Sequence, residues 1–419
     1  MKKIIFITNR LPFPNTDGRK NLLSQYLTQI KEIHPDSEII NISFVDDPKY
    51  LSAKPKLIDR IITIDSPGFF EKVYNALVYS LLLRKWPLQV SVYYSKKNHK
   101  LIAETIQKEN PAYVIYDMVR VAEYTEKHPA KTIMSYDDLL SLRYQRQLEW
   151  FKYIPSVFGG FADKLPKFAR GAAELKFIQK MLIRLESRLL EKYEQSVAGR
   201  FDHLIFTSPK EAEHFKDIVR HESCHGIPMK IDPVAAGGSE DARQYDPNKI
   251  VFVGKMDIPH NCSAVFYFCE KIWPQVKKHQ PDAKFYIVGK NPTREVLQLE
   301  KQYPDVIVTG EVNDVKKTVM DSALMIAPLL FGTGIKTKIV EAMSWGIPVV
   351  TNAIGSEGIN ASHRKDLFIS ENDEEMVQNI LQLLNNAEMN HSMSKNSIDY
   401  VSQHFSSTVT KEKLELILV

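Results

Sequence analysis

Three observations predict two doubly wound α/β domains in one chain. Strand-like runs rich in Ile, Val and Phe alternate with helically spaced apolar patterns from one end to the other. The alternation lapses over 221–249, a stretch with three prolines, three glycines and little periodicity, and then restarts. The length of 419 residues suits two domains of ordinary size.

In chain order, "KIIFIT" (3–8) is the first strand, followed by a helix with Leu22, Leu23, Tyr26, Leu27 and Ile30 at helical spacing. Strands "EIINISF" and "DRIITI" come next, then helices around 69–83 and near 96–109. Strands "AYVIYD", "KTIMSYDD" and "HLIFTS" complete the first series. The second opens with "KIVFVGKM" and a helix from about Asn261 to His279. "KFYIVGK", "VIVTGEV", a helix at 313–322, "ALMIAPL", "IPVVT" and "DLFIS" follow, with helices at 373–387 and after 390. Parallel strands joined by crossover helices are the natural reading. The expected organisation is an N-terminal domain (1–225), a linker (226–249), a second domain (250–395) and a last helical segment (396–419).

Composition narrows the class. An apolar content of 44%, a charged content of 25% and a net charge of +4 are those of a soluble globular protein, and they give no footprint for nucleic acid. Cys224, Cys262 and Cys269 form no CxxC pair, which argues against a disulfide framework or structural zinc and for a reducing, cytoplasmic setting. "MKKIIFITNR" imitates a signal peptide, but its apolar core is too short, and no run approaches a bilayer span. The insert 139–200 stands apart, with 12 Lys or Arg against 6 Asp or Glu and with Phe151, Phe158, Phe161, Phe168 and Phe177 interleaved. Helices with a solvated basic face explain it. So does a face resting on an anionic membrane or a lipid-linked acceptor at the inner face of the cell membrane.

The chemistry concentrates in "FGTGIKTKIVEAMSWGIPVVT" (331–351). Ligands of open parallel sheets lie beyond the carboxyl ends of strands, and the loop after "ALMIAPL" is such a place. Gly332 and Gly334 allow close backbone approach, and a helix starting near Ile335 presents free N–H groups to phosphate. Lys336 and Lys338 add charge, and Glu341 is placed to accept the two hydroxyls of a ribose. A plain βαβ turn with solvated lysines is the competing reading.

"GIKTKIVEAMSWGIPVVTNAIGSEGI" resembles the donor-binding signature of glycosyltransferase family 4. "KIVFVGKMDIPHNCSAVFYFCEKIWPQVKKHQPDAKFYIVGK" is similar to the family's first C-domain unit, "VTGEVNDV" to its base-proximal turn, and "NRLPFPNTDGR" to its N-terminal glycine loop. The resemblance implies a GT-B fold: two Rossmann-like domains facing across a cleft, with a C-terminal helix crossing back to the N-terminal domain. It implies a retaining, metal-independent hexosyltransferase that uses a UDP- or GDP-linked sugar and no other cofactor. It also implies roles. Glu341 holds the donor ribose, Gly334 and Ile335 contact diphosphate or sugar, and Lys255 stands where the family has a phosphate-binding Arg. Gly310, Glu311 and Val312 read the nucleobase, and Gly18 and Arg19 belong to the loop facing the diphosphate. The acceptor would be a polysaccharide, lipid-linked or protein-linked glycan.

The sequence departs from the family at two places. Thr333 stands where the family often has a sugar-contacting glutamate, and His260 and Asn261 stand where a phosphate lysine is usual. Lys336 or Lys338 is expected to supply that charge, with Lys338 placed among the catalytic residues. "SYDDLLSLRYQR" makes Asp138 and Arg143 candidates for acceptor or reacting-sugar contacts, against a helix N-cap and a surface residue. Asp117 is similarly ambiguous. No Asp-x-Asp triplet or GxGxxG turn is present, which disfavours a metal-carrying single-domain transferase and a dinucleotide enzyme. The alternative to an enzyme is a non-catalytic GT-B-shaped partner of another transferase.

Overall fold

The computed structural model describes residues 1–15, 18–45, 47–154, 175–232 and 243–418. The chain forms two compact units. The first comprises Met1–Ser141, Leu185–Lys230 and Ser407–Val419, and the second comprises Leu142–Arg184 and Ile231–Ser406. Residues 142–184 thus group with the second unit, although segments of the first flank them in sequence.

In the first unit, seven parallel strands run β1 (Lys3–Thr8), β2 (Glu38–Phe44), β3 (Arg60–Ile64), β4 (Tyr113–Asp117), β5 (Lys131–Asp137), β6 (His203–Phe206) and β7 (Cys224–Gly226). Their spatial order is β3-β2-β1-β4-β5-β6-β7, so the winding reverses between β1 and β4. Ile4, Ile5, Phe6 and Ile7 are wholly buried, as a strand covered on both faces requires. The helix Ser407–Leu418 closes this unit: Gln29 donates to Thr410 Oγ1 at 2.6 Å, and Tyr113 donates to the carbonyl of Leu418 at 2.6 Å.

The second unit repeats the plan with β8 (Asp246–Val253), β9 (Lys284–Val288), β10 (Val306–Gly310), β11 (Ser322–Ala327), β12 (Val349–Asn352) and β13 (Phe368–Ser370). The order is β10-β9-β8-β11-β12-β13, all parallel, with the reversal between β8 and β11. Its core gathers Phe252, Phe268, Trp273, Phe285 and Phe368 around the sheet. The helix Thr337–Ser344 ends in a Schellman cap. Gly346 adopts φ +71°, Ile347 N–H reaches Ala342 O at 2.9 Å, and Gly346 N–H reaches Met343 O at 3.0 Å.

The low-periodicity stretch needs two corrections. Cys224–Gly226 adds a short edge strand, paired to β6 through Leu204, Ile205 and Phe206, and β8 begins at Asp246, inside the expected linker. Three residues carry too little pattern to announce a strand. The helix expected at 313–322 is confined to Val315–Val319, capped by Asp314. Phe158, Phe161 and Phe168 of the basic insert lie outside the described residues.

Candidate functional site

In an open doubly wound sheet, the crevice beyond the carboxyl ends of the strands at the winding reversal is where ligands settle. In the second unit that point lies between β8 and β11, and two loops converge on it. After β8 the chain runs through Gly254 and Lys255 into the helix Pro259–Tyr267. After β11 it runs through 328–336 into the helix Thr337–Ser344.

Lys338 is the centre of the site. Its ammonium donates to Asn261 Oδ1 at 2.5 Å, sits 4.3 Å from the centroid of the Phe252 ring and lies against the Cα of Gly254. A Cβ on Gly254 would stand 2.8 Å from both the Lys338 amine and the Asn261 amide, so this glycine is what lets the two loops meet. Asn261 also donates to the Lys255 carbonyl at 2.9 Å, tying the loop after β8 to the same cluster. Burial lowers the Lys338 pKa to about 7, with Glu341 opposing and Lys336 assisting. Burial raises Glu341 to about 6, and Lys338 pulls it back down. One carboxyl and one amine, a turn apart on one helix, are thus shifted toward each other by burial, the carboxyl upward and the amine downward.

The other lysines behave differently. Lys336 folds back onto its own loop, donating to Gly334 O at 2.6 Å and Thr333 O at 3.2 Å, and its chain packs against Gly332. Gly332 and Gly334 have φ values of +147° and +67°, which explains two glycines so close together. Ile335 sits partly buried between them and the helix. The Lys255 ammonium pairs with Asp257 at 3.0 Å. Gly310 ends β10 with φ +67° and accepts a hydrogen bond from Gly289 N–H at 3.2 Å. It is followed by exposed Glu311 and partly buried Val312 at the sheet edge.

The loop after β11 is held from a third direction. Arg143 Nε donates to Thr333 Oγ1 at 3.1 Å. One turn on, Arg146 grips Glu357 with both terminal nitrogens at 2.5 and 3.0 Å and donates to the Gly332 carbonyl at 2.7 Å. His260 lies within the field of Lys338, Arg143 and Lys336, and burial together with those three charges drives its pKa far down. The imidazole is therefore neutral at physiological pH. The sequence reading passed over Arg146 and Glu357, although "RYQR" places two arginines one helical turn apart and Glu357 lies in the quoted "GSEGI".

The remaining candidates sit in the first unit. Gly18 opens the helix Gly18–Ile33 just beyond the loop after β1. Arg19 donates to Asp117 and also pairs with Asp137 at 3.1 Å, at the β1/β4 reversal. Burial opposes its charge, but Asp117 and Asp137 overcome that and raise its pKa. The guanidinium is thus anchored to the ends of β4 and β5. Asp138 is buried beside Glu194 and helps to push that carboxyl up to about 8, after burial itself. Glu194 reaches the start of the helix Leu140–Glu149, accepting from Ser141 N–H at 3.3 Å and from the Ser141 hydroxyl. The structure brings Lys255, Gly334, Ile335, Lys336, Lys338, Glu341 and Arg143 into one unit. Asp138, Gly18 and Arg19 belong to the other.

Comparison with known proteins bears on the family and the fold. Residues 247–386 match the family model described as "Glycosyl transferases group 1". Sucrose-phosphate synthase from Thermosynechococcus elongatus is similar over 100% of this chain and 98% of its own, with a TM-score of 0.67 and 14% identity. S. aureus TarM, crystallised as a variant with Fondaparinux, alpha-GlcNAc-glycerol and UDP, is similar over 100% and 99%, with a TM-score of 0.64 and 13% identity. The fold is GT-B. Among curated proteins, a Klebsiella pneumoniae chain described as an uncharacterized 44.6 kDa protein in the cps region is 21% identical over 415 residues, 97% of each chain. The group 1 match lies within the second unit and includes Lys338 and Glu341.

Proposed function

We propose that this protein is a glycosyltransferase of family 4 type that moves a hexose from a UDP- or GDP-linked donor to a glycan acceptor with retention at the anomeric carbon. The observation that carries the reading is the Lys338–Asn261–Gly254 cluster, with Glu341 one turn away, at the winding reversal of a unit matched by the group 1 model. In this reading Glu341 accepts the ribose hydroxyls. Lys338 and the N-terminus of its helix meet the diphosphate, and the backbone of Gly310–Val312 reads the base. Arg143 and Arg146 position the loop that carries Gly332 and Gly334.

The reaction breaks the bond from C1 to the diphosphate oxygen and forms one from C1 to the acceptor oxygen on the same face. The acceptor proton passes to the departing diphosphate. The protein supplies orientation and positive charge where negative charge develops on the leaving group, with no metal required. The acceptor is a polysaccharide, lipid-linked or protein-linked glycan. The relative in a cps region and the ligands crystallised with TarM support a role in polysaccharide assembly.

The test is titration calorimetry with UDP, GDP, ADP and CMP, repeated on Glu341→Ala, followed by NMR detection of sugar released from the matching nucleotide sugar. Micromolar binding of one nucleotide, weakened by the substitution, and an α-product from an α-donor support the reading. Silence from all four nucleotides overturns it in favour of a non-catalytic partner of another transferase.

A further inference from the structure

The segment 69–83 forms a helix, Phe69–Asn75 continuing through a wider turn at Ala76–Leu82, that is folded inside out. Its buried side chains are polar. Asn75 donates to the carbonyls of Ser91 and Tyr94 at 3.1 and 2.9 Å, and Ser80 shares a 2.5 Å hydrogen bond with Ser91. Its exposed side chains are large and apolar: Phe69, Phe70, Tyr74, Leu77, Leu82 and Leu83, with Phe70 and Leu82 exposed to 86% and 76%. Trp86, buried between the tilted rings of Tyr79 and Tyr94 with centroids at 4.2 and 4.7 Å, holds the end of the helix with its polar side inward. A contiguous apolar face of this kind on a water-soluble unit marks an interaction surface.

Its rim is basic. Lys72 lies on the helix itself beside Glu71, and further on Lys97 and Lys100 are paired with Asp65 and Glu104 at 3.1 and 3.8 Å, which leaves Arg84 and Lys85 as the excess of charge beside the apolar face. Arg84 and Lys85 follow the last leucine directly, and both are exposed. Pairing this face with a second copy would set like charges against each other. The helix is also too short to span a bilayer: 14 residues cover about 21 Å against roughly 30 Å of hydrocarbon. No described helix is long and apolar enough to cross a membrane. An apolar face with a cationic rim, lying in the plane of an interface, fits an anionic lipid surface.

We infer that the outward face of 69–83 docks the first unit on an anionic bilayer, with the phenylalanines and leucines among the acyl chains and Lys72, Arg84 and Lys85 at the headgroups. This places membrane contact on a different segment from the basic insert at 139–200, and it does not depend on the donor-site reading.

The experiment is flotation of the full chain with vesicles of phosphatidylcholine containing roughly one-third phosphatidylglycerol, and with phosphatidylcholine alone. The wild type should float with the anionic vesicles and much less with the neutral ones. Phe70→Ser/Leu77→Ser/Leu82→Ser should lose about 1000-fold in vesicle affinity, since each large apolar side chain kept out of the acyl chains is worth about a factor of ten. Arg84→Glu/Lys85→Glu, which leaves the apolar face intact, should lose about tenfold or more. Failure of the wild type to float, or equal flotation of the triple variant, overturns the inference. So does a wild-type dimer by sedimentation equilibrium that becomes monomeric in the triple variant, because a second copy would then be the occupant. Nucleotide affinity is read separately and bears only on the donor site.

Discussion

Raising the pH from 7.5 to 8.5 should weaken nucleotide binding about tenfold in the wild-type chain and leave Lys338→Met nearly unmoved. Burial places the Lys338 pKa at about 7 before ligand arrives, and a bound diphosphate would stabilise the charged form. The nucleotide therefore binds with full strength below about pH 7. Above it, binding must first draw a proton from solvent, at a cost of about tenfold per pH unit. Glu341, at about 6, limits the other side, because its carboxylate accepts ribose hydroxyls only once ionised. Affinity should peak between about pH 6 and 7. The same pKa bears on stability with a definite sign. The unfolded chain holds its lysine proton up to about 10.5 and the folded chain only to about 7, so wild-type stability rises with pH across that window. At about 1.4 kcal/mol per pH unit the lowered pKa bounds the cost of the buried ammonium at about 5 kcal/mol near or below pH 7. Partial exposure of the side chain to water reduces that to about 2 kcal/mol, the gain expected for Lys338→Met without ligand. Calorimetry in two buffers of different ionisation enthalpy measures proton uptake directly, and urea unfolding at pH 6.5 measures the stability. A flat wild-type affinity from pH 7.5 to 8.5, or a Lys338→Met variant that keeps the pH dependence, would refute the reasoning.

Three further outcomes concern stability. Glu194 holds its proton to about pH 8 in the fold but only to about 4.5 when unfolded, so it makes wild-type stability decline as pH rises between those values. Glu194→Gln should flatten that decline in thermal melts between pH 5 and 8, and an unchanged slope would remove Glu194 as its source. Gly346→Ala forces a left-handed residue and sets a methyl 2.7 Å from Ser394 Oγ, which should cost the second unit about 2 kcal/mol in urea unfolding. Arg19→Met leaves Asp117 buried without its cation and should destabilise the first unit by about 3 kcal/mol. A loss below about 1 kcal/mol would mean that Asp117 is satisfied by other groups.

Most of the strands were legible because parallel strands covered on both faces read as unbroken apolar runs, as in "KIIFIT" and "ALMIAP". The edge strand Cys224–Gly226 was not, since three residues next to a proline carry no periodicity. At the site, Gly334, Lys338 and Glu341 lie within eight residues and announced themselves together. The Arg146–Glu357 clamp spans 211 positions, and nothing local in either segment marks the other as its partner. Arg19 stood out by its place in the glycine loop, but the carboxylates that its guanidinium meets at the ends of β4 and β5 are brought near only by the sheet order. The helix at 69–83 shows the limit most clearly. Periodicity reveals that a helix has an apolar face but not which way the fold turns it.

The helix Ser407–Leu418 has a consequence for how the protein is made. It completes the first unit, whose remaining pieces end at Lys230, while the second unit is finished by Ser406. On a ribosome adding about 5–20 residues per second, the early β-sheet therefore waits roughly 10–40 s for its closing segment. During that interval the groove that receives Thr410 and Leu414 stays open, and the later half of the chain can reach its final packing first. The order of synthesis and the order of completion are thus reversed. A nascent chain stalled before Ser407 would hold a finished second unit beside an unfinished first one.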